Sequence, residues 1–318
     1  MMKANKILSL LGTDFLTVSE TEFIYGPSGR FLLRNVEDVW WKYCVVSEKY
    51  NVYPTQISQV SRTLRYLRDS RCDGLPFGLA SIETTENDQR QSKMLDLPLP
   101  PLCTRMSVMT FGEKTSAKDL FYRKQRERKA WWRKFSNNPS RFVTTNSEKN
   151  ENREVMSIQA HLPSQDLSVE VVSFGKVECY LQNCQSGSIS EAYIVEHTTS
   201  LELAVLTLLC DGYAEDKKSL HLHPKLAPYK ALIMPDNTGN EELLQLVVYL
   251  NNQLKAESLN TIVSSTSNDV HVLQVPYVIL VDNDSLRTGI VQVTNQLTTI
   301  SERVHITDLV KNIAACCT

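Results

Sequence analysis

The run Val169-Glu170-Val171-Val172-Ser173-Phe174 is rich in β-branched and aromatic residues, and Gly175-Lys176 separates it from Val177-Glu178-Cys179-Tyr180-Leu181. Two such runs about a glycine-containing turn predict an antiparallel hairpin. A lone hairpin is only marginally stable in water, so this stretch commits its surroundings to a larger antiparallel sheet. Residues 192–195 continue the strand pattern. Residues 201–209 (LELAVLTLL) then read as a buried helix, with Ser200 as its cap and Glu202 favourably placed in its first turn.

The carboxy-terminal part has another rhythm. Residues 231–234 read as a strand and 241–255 as an amphipathic helix whose apolar stripe is Leu243, Leu244, Val247, Val248, Leu250 and Leu254. Strands are predicted at 261–263, 276–281, 289–293 and 302–305, and a short helix at 307–315. A strand–helix–strand opening followed by further strands predicts a small α/β domain with a mixed sheet. Between the two patterns, residues 220–228 (LHLHPKLAP) follow the charged turn Glu215-Asp216-Lys217-Lys218. The domain boundary is therefore expected at 222/223, giving domains 1–222 and 223–318. Residues 137–153 and 86–101 are polar and rich in turn formers, and both are expected to be exposed loops, the first of them mobile. His221 and His223, at the boundary, are read as packing or capping residues.

The chain has 318 residues, enough for two domains, and its net charge of −2 means that any nucleic-acid-binding charge must be local. The eight cysteines form no Cys-x-x-Cys pair and none precedes a histidine at finger spacing, so no metal or other cofactor is expected. Cys179 and Cys184 are read as buried thiols, and the usage fits a reducing compartment. No apolar run approaches the roughly 20 residues needed to span a bilayer. Residues 1–11 (MMKANKILSLL) read either as the remnant of a transit peptide or as a first helix. There is no P-loop, G-x-S-x-G or HExxH signature.

Four segments together resemble one family. Tyr25-Gly26-Pro27-Ser28-Gly29, with Leu33, Asn35 and Trp40-Trp41, resembles the first motif of glycyl-type class II aminoacyl-tRNA synthetases. Leu75-Pro76-Phe77-Gly78-Leu79-Ala80 resembles the strand leading into their second motif. Residues 222–230 (LHPKLAPYK) resemble the entry to their anticodon-binding domain. Gly112-Glu113-Lys114-Thr115, followed by Trp131-Trp132-Arg133-Lys134-Phe135, resembles the synthetase-derived accessory subunits of mitochondrial DNA polymerase gamma. The resemblance implies an α/β (α+β) fold: a class II synthetase-like antiparallel sheet domain and an anticodon-binding-like mixed-sheet domain. It also implies a non-catalytic processivity role in the mitochondrial matrix or nucleoid, with the polymerase's catalytic subunit and duplex or primer-template DNA as partners. A tRNA- or RNA-binding synthetase paralogue without aminoacylation is the alternative.

Adenylation needs guanidinium groups where charge develops on the phosphates. The strand after Ala80 runs Ser81-Ile82-Glu83-Thr84-Thr85-Glu86, with no arginine at the position the second motif implies. The third motif aligns with Ser200-Leu201-Glu202-Leu203, so that Leu203 stands where its arginine is implied; no catalytic residue is expected. Candidate DNA contacts are Lys124, Arg126, Arg128, Lys129, Arg133 and Lys134, with Arg126, Lys129 and Arg133 on one helix face and Trp131 and Phe135 burying another. Lys114 and Lys118 would extend this patch; the competing reading is a solvated helix. Candidate partner contacts are the loops 235–240, 266–269 and 282–288, through Asp236, Asn237, Asp282 and Asp284, which ordinary turn chemistry explains as well. Dimeric members carry a long helical insertion, and residues 51–74 are too short for it at 1.5 Å per residue, so a homodimer is not expected.

Overall fold

The computed structural model describes residues 4–19, 22–67, 74–86, 97, 100–150, 153–163, 165–179, 192–214, 219–265 and 274–317. The fold is a mixed α/β one with several sheets. Two compact units divide it: Met1–Lys6, Val18–Phe23 and Val36–Asp211 form the first, and Ile7–Thr17, Ile24–Asn35 and Gly212–Thr318 the second. This division differs from the one read at residue 222, because the second unit also gathers two amino-terminal segments.

The chain opens with α1 (Ala4–Leu11) and a two-stranded ribbon, β1 (Leu16–Val18) and β2 (Phe23–Tyr25), before α2 (Pro27–Trp41). A single π-helical turn, Lys42–Val46, extends α2. The sheet of the first unit contains β3 (Val52–Pro54), β4 (Phe77–Glu86), β5 (Leu102–Gly112), β6 (Phe142–Thr144), β7 (Glu148–Lys149), β8 (Arg153–His161), β9 (Asp166–Lys176) and β10 (Tyr193–Ser200). Its order is β3-β4-β5-β10-β9-β8-β6, with β7 beside β8, and its pairings are antiparallel except β3 with β4. The short helix α3 (Val60–Tyr66) follows β3, and the 22-residue α4 (Lys114–Phe135) packs against β5, β6, β8, β9 and β10. The helix α5 (Leu201–Gly212) follows β10 directly.

Among the described residues, the hairpin predicted about Gly175-Lys176 does not form. β9 runs on to Lys176 and pairs with β8 and β10, and Val177–Cys179 turn as a 3-10 segment. Only the intrinsic strand preference was right; the partners come from elsewhere in the chain. The described residues 137–150 are not one continuous loop either. Buried Asp211 accepts from the backbone N–H of Asn137 (2.7 Å) and Asn138 (3.1 Å), and from Arg141 Nη1 (3.0 Å). Its following residues form β6 and β7. Residues 87–96 and 98–99 of the second polar segment, the charged turn 215–218, Cys72, Cys184 and the loop 266–269 lie outside the described residues.

In the second unit β11 (Tyr213–Ala214) pairs with β12 (Ser219–Leu220). A five-stranded sheet follows, of order β14-β13-β15-β16-β17: β13 (Ala231–Pro235), β14 (Thr261–Val263), β15 (Tyr277–Val281), β16 (Ile290–Asn295) and β17 (Ser301–His305). β13 pairs in parallel with β14 and β15, and β16 is antiparallel to β15 and β17. The helix α6 (Glu241–Ala256) packs on β13 and β14, α7 (Asn283–Thr288) follows β15, and α8 (Ile306–Cys317) follows β17. Leu243, Val247, Leu250 and Leu254 bury against the sheet as expected, whereas Leu244 and Val248 lie on the exposed face.

The glycines of the first motif have a steric reason. A Cβ on Gly26 would lie 2.0 Å from the Thr13 carbonyl oxygen, and one on Gly29 would lie 1.8 Å from that of Phe15. The Gly26 N–H donates to Phe15 O at 3.3 Å and the Gly29 N–H to Asp14 O at 3.1 Å, so backbone meets backbone directly. Asn35 closes the same unit: its Nδ2 donates to Leu226 O (3.1 Å) and Ala227 O (2.9 Å), joining the first motif to the 222–230 segment. His221 meets Ser219 Oγ at 2.9 Å through Nε2, and His223 Nδ1 accepts from the Lys225 N–H at 3.2 Å, the packing and capping roles expected of them.

Candidate functional site

One face of the large sheet carries a cleft of about 420 Å³, lined in part by Glu86, Arg105, Ser200, Glu202, Leu203 and Leu206. Ser200 ends β10 and Leu203 stands in the first turn of α5, so the segment aligned with the third motif does line a cleft. Ser200 Oγ accepts from the Leu203 N–H at 3.4 Å and donates to Glu202 at 3.0 Å, which makes it the helix cap predicted. The Glu202 carboxylate also accepts from the Thr104 N–H and Oγ1, both at 2.8 Å. It is fully engaged within the fold.

The sequence reading overlooked Arg105. This residue sits on β5, opposite Glu83 of β4, so its guanidinium enters the cleft from the neighbouring strand. That charge is already matched. Arg105 Nη2 donates to Glu196 at 2.8 Å and its Nε to Thr198 Oγ1 at 3.1 Å, while Ser107 Oγ adds 3.0 Å to the same carboxylate. Arg105 is the cleft's single cation among the described residues, and Glu86 and Glu202 share the lining. The spacing signal that would have found it is cross-strand register, which no linear motif encodes.

On the opposite elements, α4 divides its cations between two fates. Lys124 and Arg128, both read as DNA contacts, are 2% and 3% exposed. This corrects the sequence reading: helical periodicity turns them to the sheet side, where they are paired. Lys124 meets Glu48 and, at 3.0 Å, Glu127. Arg128 Nε donates to Glu170 at 2.7 Å, and Trp132 Nε1 donates to the other oxygen of that carboxylate at 2.7 Å. His197 Nδ1 lies 3.2 Å from Glu170, and Arg128 Nη1 is 2.9 Å from Cys44 Sγ. Burial opposes the Glu170 charge, but Arg128 and the His197 contact outweigh it and hold the carboxyl at about 2. Burial also lowers the His197 pKa and pushes the Cys44 thiol up to about 12. Trp131 and Phe135 are buried as predicted, and Trp132, read as bordering them, is buried completely.

Of the remaining candidates, Arg126 and Arg133 are exposed and Lys129 is partly so, along one outer row of α4. Arg133 Nε donates to Phe142 O at 3.1 Å, and Lys134 Nζ to the Tyr43 hydroxyl at 2.6 Å. Lys114 and Lys118 lie at the other end of α4 and line a second cavity, of about 430 Å³, with Lys149, Arg153 and Lys176. Glu154 is that cavity's one carboxylate, and it pairs with Lys118. Phe174 and Tyr193 stack there with ring centroids 5.3 Å apart. Three of these cations, from β7, β8 and β9, were invisible as a cluster in the sequence.

The acidic candidates of the second unit meet at the carboxyl ends of its parallel strands. The Asp236 N–H donates to Val281 O at 2.9 Å, and Asn240 Nδ2 to Asn283 Oδ1 at 2.9 Å. Asp282 caps α7, accepting from the Ser285 N–H at 2.8 Å, and that hydrogen bond keeps its pKa below the usual carboxylate range. Asp284 pairs with Arg287 at 3.1 Å, and Asn237 accepts from the Gly239 N–H at 2.9 Å. Turn and capping chemistry thus accounts for Asn237, Asp282 and Asp284. Asp236 stays exposed. No group of three or more His, Cys, Asp or Glu suited to holding a metal ion occurs among the described residues.

No family model matches the chain. The chain is similar to DNA polymerase subunit gamma-2, mitochondrial, of Drosophila melanogaster, 27% identical over 221 residues, 61% of each chain. It is similar also to DNA polymerase subunit gamma-2 of Mus musculus, 25% identical over 279 residues, 74% of this chain and 58% of that one. A glycine–tRNA ligase of Borrelia hermsii is 29% identical over 156 residues, 45% of this chain and 35% of the ligase. The chain spans about six-tenths of the length of the polymerase subunits it matches.

Proposed function

We propose that this chain is a non-catalytic accessory subunit of a mitochondrial DNA polymerase gamma, acting in the matrix or nucleoid as a scaffold that retains the polymerase on primer-template. Its similarity to named gamma-2 subunits supports the polymerase role, and its similarity to a glycine–tRNA ligase supports a synthetase-like ancestry for the first unit. Residues 223–318 are proposed as an anticodon-binding-like domain that docks the catalytic subunit. The observation that carries the non-catalytic reading is the occupied guanidinium of the cleft. Arg105 is held by Glu196, Leu203 has no donor to offer, and the neighbouring carboxylates would repel a triphosphate.

DNA retention is assigned to Arg126, Lys129 and Arg133 on the outer row of α4, joined by the cavity at Lys114, Lys149 and Lys176. Lys118 to Arg133 spans about 22 Å of helix at 1.5 Å per residue, the length of roughly six base pairs. A second attachment point makes re-engagement intramolecular, which raises the effective concentration of the polymerase at its template. Partner docking is assigned to the end of the second unit that presents Asp236 and Asp284, beside α6 with exposed Val248 and Tyr249. One accessory chain per catalytic subunit is expected.

Co-purification with the catalytic subunit, followed by product-length analysis with and without this chain, tests the proposal. Longer products on addition are expected, with no ATP–pyrophosphate exchange above background. Failure to bind the polymerase, together with preference for tRNA over duplex DNA at equal salt, would establish the RNA-binding alternative instead.

A further inference from the structure

The cavity of about 430 Å³ beside the start of α4 draws its charge from one face of the large sheet. Lys149 pairs with Glu154 across β7 and β8, Glu154 with Phe174 across β8 and β9, and Lys176 with Tyr193 across β9 and β10. Directly paired residues point to the same face, and so do residues two apart on one strand. Lys149, Glu154, Phe174, Lys176 and Tyr193 therefore share a face. Lys118 identifies it as the face that α4 covers, because its Nζ pairs with Glu154 and lies 4.9 Å from the Phe174 ring centroid. Lys114 stands one turn before Lys118, on the same side of the helix. Arg153 is one residue out of step and turns to the other face, where it donates to Ser173 Oγ at 3.0 Å and meets Glu196 at 3.6 Å.

Four ammonium groups thus meet one carboxylate, and Lys118 already engages it. Lys114, Lys149 and Lys176 are exposed and make no ion pair among the described residues. Three like charges gathered from α4, β7 and β9 repel one another, so the cavity is poised for a ligand carrying several negative charges. Its floor is aromatic: Phe174 and Tyr193 are half-buried and stacked. Tyr122, one turn after Lys118, is 46% exposed and continues the same flank of α4, on which Lys129 and Arg133 recur seven and eleven residues later. Taken as a sphere the cavity is about 9 Å across, narrower than the roughly 12 Å of a duplex's major groove alone, so a duplex cannot enter it.

We propose that this cavity holds an unpaired DNA strand, with successive phosphates on Lys114, Lys149 and Lys176 and an unstacked base against the aromatic rings. A cationic groove combined with accessible aromatic surface is what binding of a single strand without sequence preference requires. The inference rests on the DNA-retention reading and divides it: duplex lies along the outer row of α4, and single strand enters the cavity.

Fluorescence anisotropy on the full chain tests this, with a labelled oligothymidylate of about ten nucleotides and a blunt duplex of the same length. Lys149→Ala with Lys176→Ala should weaken the single strand at least about tenfold and the duplex less than about threefold. The same pair should make the log–log salt dependence of the single strand shallower by about 1.4, which is two phosphate contacts at about 0.7 each. Both side chains are exposed, so the melting temperature should stay within about a degree or two of the parent's; Lys149→Gln with Lys176→Gln replaces the pair if it does not. Arg126→Ala with Lys129→Ala and Arg133→Ala should do the reverse, weakening the duplex more than the single strand. Equal losses on both ligands, or a single strand held as well by the lysine variants as by the parent, would overturn the cavity assignment and leave the DNA reading standing. Displacement of the oligonucleotide by inorganic triphosphate at matched phosphate concentration would also overturn it, leaving a bare anion site. Binding of neither DNA would remove the DNA reading itself, and this inference with it.

Discussion

Glu170→Gln should destabilise the first unit far more than the loss of one hydrogen bond would. Three donors converge on this carboxylate: Arg128 Nε and Trp132 Nε1 at 2.7 Å each, and His197 Nδ1 at 3.2 Å. The side chain is 0% exposed, so solvent cannot stand in for the lost charge. Gln keeps one oxygen but turns an NH2 toward a donor, and the buried guanidinium of Arg128 then lacks its counter-charge. Removing one partner of a buried pair costs about 3–5 kcal/mol. A carboxyl held at about 2 against its ordinary 4.5 likewise contributes about 3 kcal/mol of stability. Because the folded value is depressed, that contribution is present above about pH 4.5 and is lost as pH falls through about 2. Urea unfolding followed by tryptophan fluorescence measures it, since Trp132 reports from the site. At neutral pH the variant should lose about 3 kcal/mol, and its stability should fall less steeply than the parent's below pH 4.5. Arg128→Met in the Glu170→Gln background should recover part of the loss by removing the stranded charge. A cost under about 1 kcal/mol, or an additive double variant, would refute the coupling.

Replacing Arg126, Lys129 and Arg133 together with Ala should weaken duplex binding and flatten its salt dependence by about 0.9 in log–log slope per lost phosphate contact; binding that does not change across several salt concentrations rejects that face of α4. Gly29→Ala should cost more than about 4 kcal/mol, because its Cβ would sit 1.8 Å from a backbone oxygen that cannot rotate away; a melt within a degree or two of the parent's would show the close approach to be relievable. Asp211→Ala should free the segment 137–141 by stranding two backbone N–H groups and the Arg141 guanidinium, at about 3 kcal/mol. Amide exchange at Asn137 and Asn138 reads this directly, and unaltered protection there would count against the anchor.

Local chemistry alone determined much of this protein. The buried stripe Leu243, Val247, Leu250 and Leu254 of α6, the cap at Ser200 and the burial of Trp131 and Phe135 follow from periodicity and side-chain chemistry, which act over a few residues, whereas Leu244 and Val248, read into the same stripe, stay exposed. The four motifs could be read for the same reason, each being a short contiguous string. What tertiary structure decided was every pairing between distant segments. β9 was legible as a strand, but its partners β8 and β10 were not, so a hairpin was expected where a long strand runs through. Arg105 reaches the cleft by register with β4 and is silenced by Glu196, 91 positions away. Lys124 and Arg128 looked identical to Arg126 and Lys129 as letters. Only the side of α4 that meets the sheet turned two of them into internal counter-ions, because a charge excluded from water must find its partner wherever the fold brings one.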